Sequence, residues 1–266
     1  MLVPIQTSGN RPPLFFMHGI QGAMLLGSTF ASVLGPDHPF YIINANGMDG
    51  RQPVIDNFQE MVRTYIEDIE GVSPTGPLRI GGMCSGCLLA IEVARRLQEK
   101  GRQTGAVILA DPPPVPFSFN KELRAVEPRQ PQVAQQLYDQ VRRTLSDHAS
   151  RHYNDMPFDP GDPQQAHAAI LAGVASLVAF AKYIPTPFSG PAELIVSAER
   201  APGFFHPQMP WRRLLPGSRV VHVLPWEHME LFRAGRDAVA RLLKFMLDEP
   251  PTLQNVAERP AERSIA

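Results

Sequence analysis

The stretch Leu78-Arg-Ile-Gly-Gly-Met-Cys-Ser-Gly-Cys87 decides the fold. It begins as a short apolar strand, turns at Gly82-x-Cys84-x-Gly86 and continues into a helix-like segment. Glycines two residues on either side of the central residue let a strand and a helix approach each other closely around a sharp turn. The pattern predicts a nucleophile elbow that presents Cys84 above the sheet. The N-terminus of the following helix favours a thiolate and a developing oxyanion at this place.

Two other interpretations of this stretch stay open at the level of sequence. Cys84 and Cys87 form a C-x-x-C pair at a helix start, which is typical of redox motifs. Free cysteine is also among the most buried residue types, so Cys84 is in a third interpretation only a packing residue. The elbow is favoured because an acid and a histidine follow it in the chain order that this chemistry needs.

Short apolar segments alternate with amphipathic helical segments along the chain. Strands are predicted at Leu14–Met17, Phe40–Ile43, Leu78–Ile80, Ala106–Ala110, Ala192–Val196 and Val220–Leu224. Helices are predicted at Asn57–Glu70, Ser85–Gln98 and Arg236–Leu247, where apolar residues recur on one face. The alternation predicts an α/β fold with a mostly parallel central sheet and helices on both faces.

The alternation is interrupted in the middle of the chain. Two helical stretches, Gln132–His148 and Pro163–Tyr183, follow each other there without a strand between them, and many of the 28 prolines lie nearby. This predicts a helical lid over about residues 113–190, inserted into a single domain of residues 1–248. The segment 249–266, which contains Pro, Glu and Arg, is predicted to be a flexible C-terminal tail.

Composition narrows the possible classes of function. Of the 266 residues, 44% are hydrophobic and 19% are charged, which indicates a folded domain. The net charge of −1 argues against a nucleic-acid partner. The lack of a run of about 18 apolar residues argues against a membrane span. No signal peptide is evident, and the two cysteines stand too close together for a disulfide framework, so a cytoplasmic location is expected.

Motifs on both sides of the elbow occur in a familiar order. They are Leu2-Val-Pro-Ile-Gln6, Arg11-Pro-Pro-Leu-Phe-Phe-Met-His-Gly19, Leu34-Gly-Pro-Asp-His-Pro-Phe-Tyr41, Gly47-Met-Asp-Gly50, Gly81-Gly82 and Ala110-Asp-Pro-Pro113. Together they resemble the thioesterase domains of nonribosomal peptide synthetases and polyketide synthases, which have the α/β-hydrolase fold. The resemblance covers about residues 2–113, returns at 183–199 and 225–232, and is weak across the lid. The family usually carries serine where this chain has Cys84.

The resemblance implies the other members of a catalytic triad. Asp111 follows the strand after the elbow helix, where the family carries its acid, and His228 follows the last strand, where the family carries its base. Two alternatives stay open for the acid. In the first alternative, Asp111 only caps a loop beside Pro112. In the other the acid is Glu199, which follows the next strand, where many other α/β-hydrolases carry theirs.

The resemblance also implies a substrate and a mechanism. The substrate is an acyl or peptidyl thioester on the phosphopantetheine arm of a carrier protein, and neither a bound cofactor nor a metal ion is expected. His228 activates Cys84 for attack, and backbone N–H groups of Ile20 and Ser85 form the oxyanion hole. The chain is then released by cyclisation, aminolysis or hydrolysis.

Two other functions compete with this one. The first is a small-molecule cysteine hydrolase resembling dienelactone hydrolase, whose acid is expected near Glu199. The second is a non-catalytic binding module that has kept the hydrolase fold. An intact triad argues against the second, and the long lid argues against the first.

Overall fold

A computed structural model describes residues 1–24, 27–113, 131–152, 156–205, 210–217 and 219–248. One sheet is formed by β1 (Leu2–Gln6), β2 (Leu14–Met17), β3 (Phe40–Ile43), β4 (Arg79–Met83), β5 (Val107–Ala110), β6 (Ala192–Ser197) and β7 (Arg219–Leu224). The strands lie in the order β1-β3-β2-β4-β5-β6-β7. The β1–β3 pair is antiparallel and every other pair is parallel. The predicted mostly parallel sheet is therefore confirmed.

The edge strand β1 is the one strand of the sheet that the periodicity did not predict. Val3 pairs with Ile42, and the register shifts between Pro4 and Gln6. Proline cannot donate a ladder hydrogen bond, so it is tolerated mainly on an edge strand such as this one. None of the residues of β1 is fully buried, so the strand lacks the apolar run that marks the central strands.

The helices cover both faces of the sheet. They are α1 (Gly27–Leu34), α2 (Phe58–Val72), α3 (Gly86–Glu99), α4 (Pro131–His152), α5 (Pro163–Lys182), α6 (Ala201–Phe205), α7 (Pro210–Leu214), α8 (His228–Leu231) and α9 (Arg236–Asp248). One core cluster joins α2 and α3 to the sheet, and a second joins α1 and α9 to the opposite face. Every predicted helix is present within a few residues of its expected ends.

Two neighbouring phenylalanines of the interior strand β2 pack into the two cores on opposite faces of the sheet. Phe15 and Phe16 of β2 are both buried, and successive side chains of a strand point to opposite faces. Phe15 accordingly lies in the cluster with α2 and α3, and Phe16 in the cluster with α1 and α9. Burying a side chain of this size contributes about 2–3 kcal/mol. The strand β2, which pairs with β4 next to the elbow, is thereby anchored from both sides.

The two long helices α4 and α5 lie between β5 and β6, where the lid was predicted. They share a core cluster with Ala45 and Met48 at the end of β3. Within the described residues, α5 is the one helix long and apolar enough to cross a membrane, although 61% of its apolar window is buried inside the protein. A helix buried on most of its surface must be apolar for that reason alone. Residues 114–130 of the predicted lid and the predicted tail 249–266 lie outside the described residues.

Candidate active site

Cys84 stands on a turn whose geometry depends on the flanking glycines. Its φ of +51° is in the left-handed region that non-glycine residues seldom adopt, and its N–H donates to the Ala110 carbonyl at 2.8 Å. A Cβ on Gly82 would collide with the carbonyl oxygen of Gly86, and a Cβ on Gly86 would collide with that of His18. The G-x-C-x-G pattern is therefore a steric requirement of the turn between β4 and α3.

The two cysteines have different surroundings. Cys84 is 9% exposed, and its Sγ lies 3.8 Å from the Ser85 hydroxyl. Cys87 is wholly buried, and its thiol donates to the Gly82 carbonyl at 3.2 Å. Burial, together with the neighbouring Cys84 and Asp111, raises the pKa of the Cys87 thiol well above its ordinary value. Both are free thiols, so the structure gives Cys87 a packing position rather than a disulfide.

Asp111 and His228 meet at the carboxyl edge of the sheet. Asp111 follows β5, is fully buried and has a φ of +50°. Its Oδ2 lies 2.6 Å from Nδ1 of His228, and its Oδ1 accepts the Ser197 N–H at 2.7 Å. The imidazole thus has an orienting carboxylate on Nδ1, which leaves Nε2 for a reacting group.

Glu199, the alternative acid, contacts a different atom of the same histidine. Its Oε2 accepts the backbone N–H of His228 at 2.9 Å, which is the first N–H of α8. A carboxylate at this position satisfies an otherwise unpaired helix N–H group. Of the two predicted acids, Asp111 is therefore the one bonded to the imidazole, and Glu199 is bonded to the backbone.

The electrostatics couple Cys84 to His228. Burial opposes ionisation of the Cys84 thiol, but the hydrogen bond and charge of His228, the charge of Arg200 and the Ser85 hydroxyl outweigh it, so its pKa is lowered. Burial likewise opposes the imidazolium, but the bonds to Asp111 and Cys84 outweigh it and raise the pKa of His228 to about 9. Both shifts favour transfer of the thiol proton of Cys84 to the imidazole of His228.

The loop after β2 borders the nucleophile. A Cβ built on Gly19 would lie 3.7 Å from Cβ of Cys84. The His18 ring before it is fully buried, with Nδ1 2.6 Å from the Gly19 carbonyl and Nε2 2.8 Å from the Tyr65 hydroxyl. Burial lowers the pKa of His18 to about 4, so the ring is neutral. Nδ1–H then donates to the Gly19 carbonyl, and Nε2 accepts from Tyr65.

The predicted oxyanion donors lie on the two segments that border Cys84. Ile20 belongs to the loop after β2 and Ser85 to the start of α3. Across the described ranges, neither N–H has a hydrogen-bond acceptor within the protein. The helix α5 packs on the same loop, because a Cβ on its Gly173 would lie 3.0 Å from the carbonyl oxygen of Gln21. The loop is therefore fixed from two sides, by His18 and by α5.

Three residues near the site were not identified from the sequence. Tyr65 is a buried residue of α2, a segment that the sequence predicted only as an amphipathic helix. Ser197 contributes a backbone N–H, which has no signature in sequence. Arg200 donates to the Asp111 carbonyl at 2.6 Å. Its position just beyond the end of β6, at the edge of the sheet where Asp111 also lies, is the one signal that would have drawn attention to it.

In the part of the chain that the structure describes, no group of His, Cys, Asp or Glu is arranged to hold a metal ion.

Comparison with known sequences identifies the family. The family model for the thioesterase domain matches residues 12–246. The chain is 35% identical over 113 residues to atromentin synthetase of Serpula lacrymans, an alignment that covers 42% of this chain and 12% of that protein. It is 33% identical over 111 residues to malpibaldin synthetase of Mortierella alpina, covering 42% of this chain and 2% of that protein. The chain thus aligns with only a small part of these relatives.

Solved structures with the same fold include two thioesterase domains and a four-domain nonribosomal peptide synthetase. The Vlm2 thioesterase domain has a TM-score of 0.71 at 20% identity and covers 92% of this chain and 98% of its own. The thioesterase domain that cyclises surfactin has a TM-score of 0.64 at 18% identity, and the match covers 94% of this chain and 95% of that domain. A four-domain nonribosomal peptide synthetase has a TM-score of 0.70 at 20% identity, and the match covers 94% of this chain and 20% of that protein. These likenesses confirm the α/β-hydrolase fold, and with the match over residues 12–246 they show that the chain belongs to the thioesterase domain family.

Proposed function

We propose that this protein releases an acyl or peptidyl chain from the phosphopantetheine thioester of a carrier protein through a covalent intermediate on Cys84. The observation that carries the proposal is the 2.6 Å contact between His228 and Asp111, next to a cysteine on a nucleophile elbow. Membership in the thioesterase domain family supports a thioester substrate. The relatives that are synthetases support delivery by a carrier protein.

The first half of the reaction loads the chain onto Cys84. The thiolate attacks the thioester carbonyl, and the bond from that carbon to the carrier sulfur then breaks. The imidazolium of His228 returns a proton to the leaving carrier thiol, while Asp111 holds the ring in place. The product is a new thioester between the chain and Cys84.

The developing negative charge on the carbonyl oxygen is balanced by the loops that border Cys84. The N–H groups of Ile20 and Ser85 are the proposed donors, and each donor of this kind contributes about 3 kcal/mol to the transition state. Two features of the structure support them. Neither N–H has an acceptor among the described residues, and the loop that carries Ile20 is fixed through His18 and Tyr65.

The second half of the reaction transfers the chain to an acceptor. An amine or hydroxyl within the chain gives a ring, an external amine gives an amide, and water gives an acid. The acyl-enzyme of Cys84 is a thioester, which keeps the chain activated, whereas a serine would convert it into a more stable oxoester. We therefore infer that cyclisation or aminolysis is the main outcome and that hydrolysis is secondary.

The contact of Glu199 favours this proposal over a hydrolase resembling dienelactone hydrolase. That alternative needs the acid after β6 to orient the imidazole. Glu199 instead accepts the backbone N–H of His228, and the imidazole Nδ1 is occupied by Asp111. A non-catalytic binding module has no need for a cysteine whose pKa is lowered by a histidine.

The test is acyl-enzyme formation followed by product analysis. The protein is mixed with an acyl or peptidyl thioester surrogate, and the intact mass is recorded with time. We expect the mass to rise by one acyl group, with the label on Cys84 in peptide mass spectra. Cys84→Ala is expected to abolish loading, because no covalent bond can form.

Two further variants sharpen the experiment. Cys87→Ala is the matched control, because Cys87 is a buried thiol three residues away and is expected to leave loading intact. Cys84→Ser is expected to load but to release the chain slowly or to divert it to hydrolysis, because an oxoester is the weaker acyl donor to amines. Loading on Cys87, or unchanged products and turnover with Cys84→Ser, would contradict the proposed mechanism.

A further inference from the structure

The turn after β6 contacts both residues of the acid–base pair. Ser197 donates its N–H to Oδ1 of Asp111, and Glu199 accepts the backbone N–H of His228. Arg200 donates from Nη1 to the main-chain carbonyl of Asp111 at 2.6 Å. The loop before His228 is tied to the same turn, because the N–H of Ala198 donates to the Trp226 carbonyl at 3.0 Å. Consecutive residues of one turn thus hold two loops that are far apart in sequence.

Arg200 differs from the other residues of the turn because it brings a charge. Its side chain is only 15% exposed, and Nη1 also lies 3.6 Å from Oδ2 of Asp111. That oxygen is the one bonded to Nδ1 of His228. The backbone N–H of Arg200 lies 3.3 Å from the Ser197 hydroxyl, so the backbone from which the Arg200 side chain extends is fixed as well. A partly buried charge with this many contacts is held in one position relative to the triad.

We propose that Arg200 is a positioning residue of the triad, which holds Asp111 in its left-handed conformation and supplies a positive charge that acts on Cys84 and His228 together. The first role follows from the backbone contact, because a non-glycine residue at a φ of +50° needs neighbours that hold it there. The second follows from the position of the guanidinium beside Oδ2 of Asp111. This inference rests on the proposed roles of Cys84 and His228.

The charge of Arg200 has a definite effect on each partner. It favours the thiolate of Cys84 and disfavours the imidazolium of His228. The guanidinium draws charge from the oxygen of Asp111 that would otherwise bind the imidazolium still more tightly. The ring therefore keeps enough acidity to return a proton to the leaving thiol. Without Arg200, the thiolate loses a counter-charge and the imidazolium holds its proton more firmly.

The other charged groups around Cys84 do not replace Arg200. On α8 the facing group is His228, whose charge lowers the pKa of the Cys84 thiol. On α3 it is Cys87, a neutral thiol whose pKa is raised by burial. After β5 it is Asp111, whose negative charge is shared with His228 and Arg200. Arg200 is the permanent positive charge among these residues, because a guanidinium does not lose its proton in this pH range.

The experiment measures the alkylation rate of Cys84 by iodoacetamide as a function of pH, with the site assigned by peptide mass spectra. The variants are Arg200→Gln, Arg200→Lys and the control Arg219→Gln. Arg219 is a matched control because it also donates from Nη1 to a backbone carbonyl, that of Leu215 at 3.1 Å, but at the far end of the sheet. Thioester turnover and thermal stability are recorded for the same proteins.

Arg200→Gln is expected to move the alkylation midpoint to higher pH and to slow alkylation severalfold at neutral pH. Its thioester turnover should fall about tenfold or more, because a hydrogen bond from a charged group is lost. Arg200→Lys keeps the charge, so its midpoint should stay near that of the wild type while its turnover falls. Arg219→Gln should match the wild type in both measurements.

Several results would overturn the inference. One is an unchanged midpoint in folded Arg200→Gln, and another is an equal shift in Arg219→Gln. If Arg200→Gln does not fold, Arg200→Lys decides, because a shifted midpoint in a variant that keeps the charge contradicts the electrostatic role. Alkylation needs no thioester, so a failure of the proposed function appears as absent acyl-enzyme. A failure of this inference appears instead as an absent shift.

Discussion

Exchanging Asp111 for asparagine tests the geometry of the site most directly. The carboxylate accepts the Ser197 N–H on Oδ1 and the His228 Nδ1–H on Oδ2. An asparagine amide keeps the first contact through its oxygen and turns its NH₂ group toward the imidazole. Nδ1 must then become the acceptor and Nε2 must carry the proton. The ring can no longer take a proton from Cys84 through Nε2, so catalysis should fail although the shape of the site is kept.

The structure gives the size of this effect. The pKa of His228 is raised from 6.5 to about 9, largely by the bonds to Asp111 and Cys84. At 1.36 kcal/mol per pKa unit this net shift is worth about 3 kcal/mol, which is what remains of the contributions of Asp111 and Cys84 after burial has opposed them. That energy corresponds to a factor of roughly 10² in rate, and the wrong tautomer adds to it, since the same exchange in serine proteases costs about 10⁴. We therefore expect kcat to fall by about 10² to 10⁴.

Glu199→Gln is the matched control for this exchange. A glutamine oxygen still accepts the His228 N–H, so only the charge near the start of α8 is lost, which is worth about 1 kcal/mol or less. The assay is steady-state turnover of a thioester surrogate at neutral pH, with thermal unfolding recorded for both variants. Equal losses of kcat in the two folded variants, or a larger loss in Glu199→Gln, would refute the assignment of Asp111 as the orienting acid.

Three further predictions follow from the same contacts. Gly86→Ala should destabilise the fold by about 3 kcal/mol in urea denaturation, because the new Cβ collides with the His18 carbonyl. The control Gly71→Ala places its Cβ in open space on α2 and should be neutral or stabilising. Tyr65→Phe should leave Nε2 of His18 unpaired and lower the stability by about 1–3 kcal/mol. It should change kcat more than KM, and a wild-type kcat would show that other contacts hold the loop. The imidazolium of His228 should contribute stability that is complete below about pH 6.5 and is lost as the pH rises through about 9. The difference in unfolding free energy between wild type and His228→Gln should therefore shrink over that window, and a difference that grows instead would contradict the sign.

The sequence predicted the elements that obey a strong periodicity and missed those that depend on their neighbours. The boundaries of β2 and β3 were predicted correctly because four buried apolar residues end at polar ones. The strand β1 was missed because its partner β3, rather than its own side chains, makes it a strand. Periodicity alone does not distinguish Asp111 from Glu199, since both follow a strand at the same edge of the sheet, and Asp111 was predicted as the acid from the family resemblance. In the structure Asp111 contacts the imidazole of His228, and Glu199 contacts its backbone N–H.

The pKa shifts of Cys84 and His228 suit the proposed thioester substrate better than an ester or an amide. Because Cys84 has a lowered pKa and His228 a raised one, proton transfer from the thiol to the imidazole is favoured. In the proposed reaction His228 takes this proton from Cys84 and returns it to the leaving thiol. An imidazolium with a pKa of about 9 is a weak acid, yet a thiol leaving group, with an ordinary pKa of about 8.5, needs little help to leave. An alkoxide or an amide nitrogen needs a stronger acid, so we expect the proposed Cys84–His228 pair to favour leaving groups of thiol basicity.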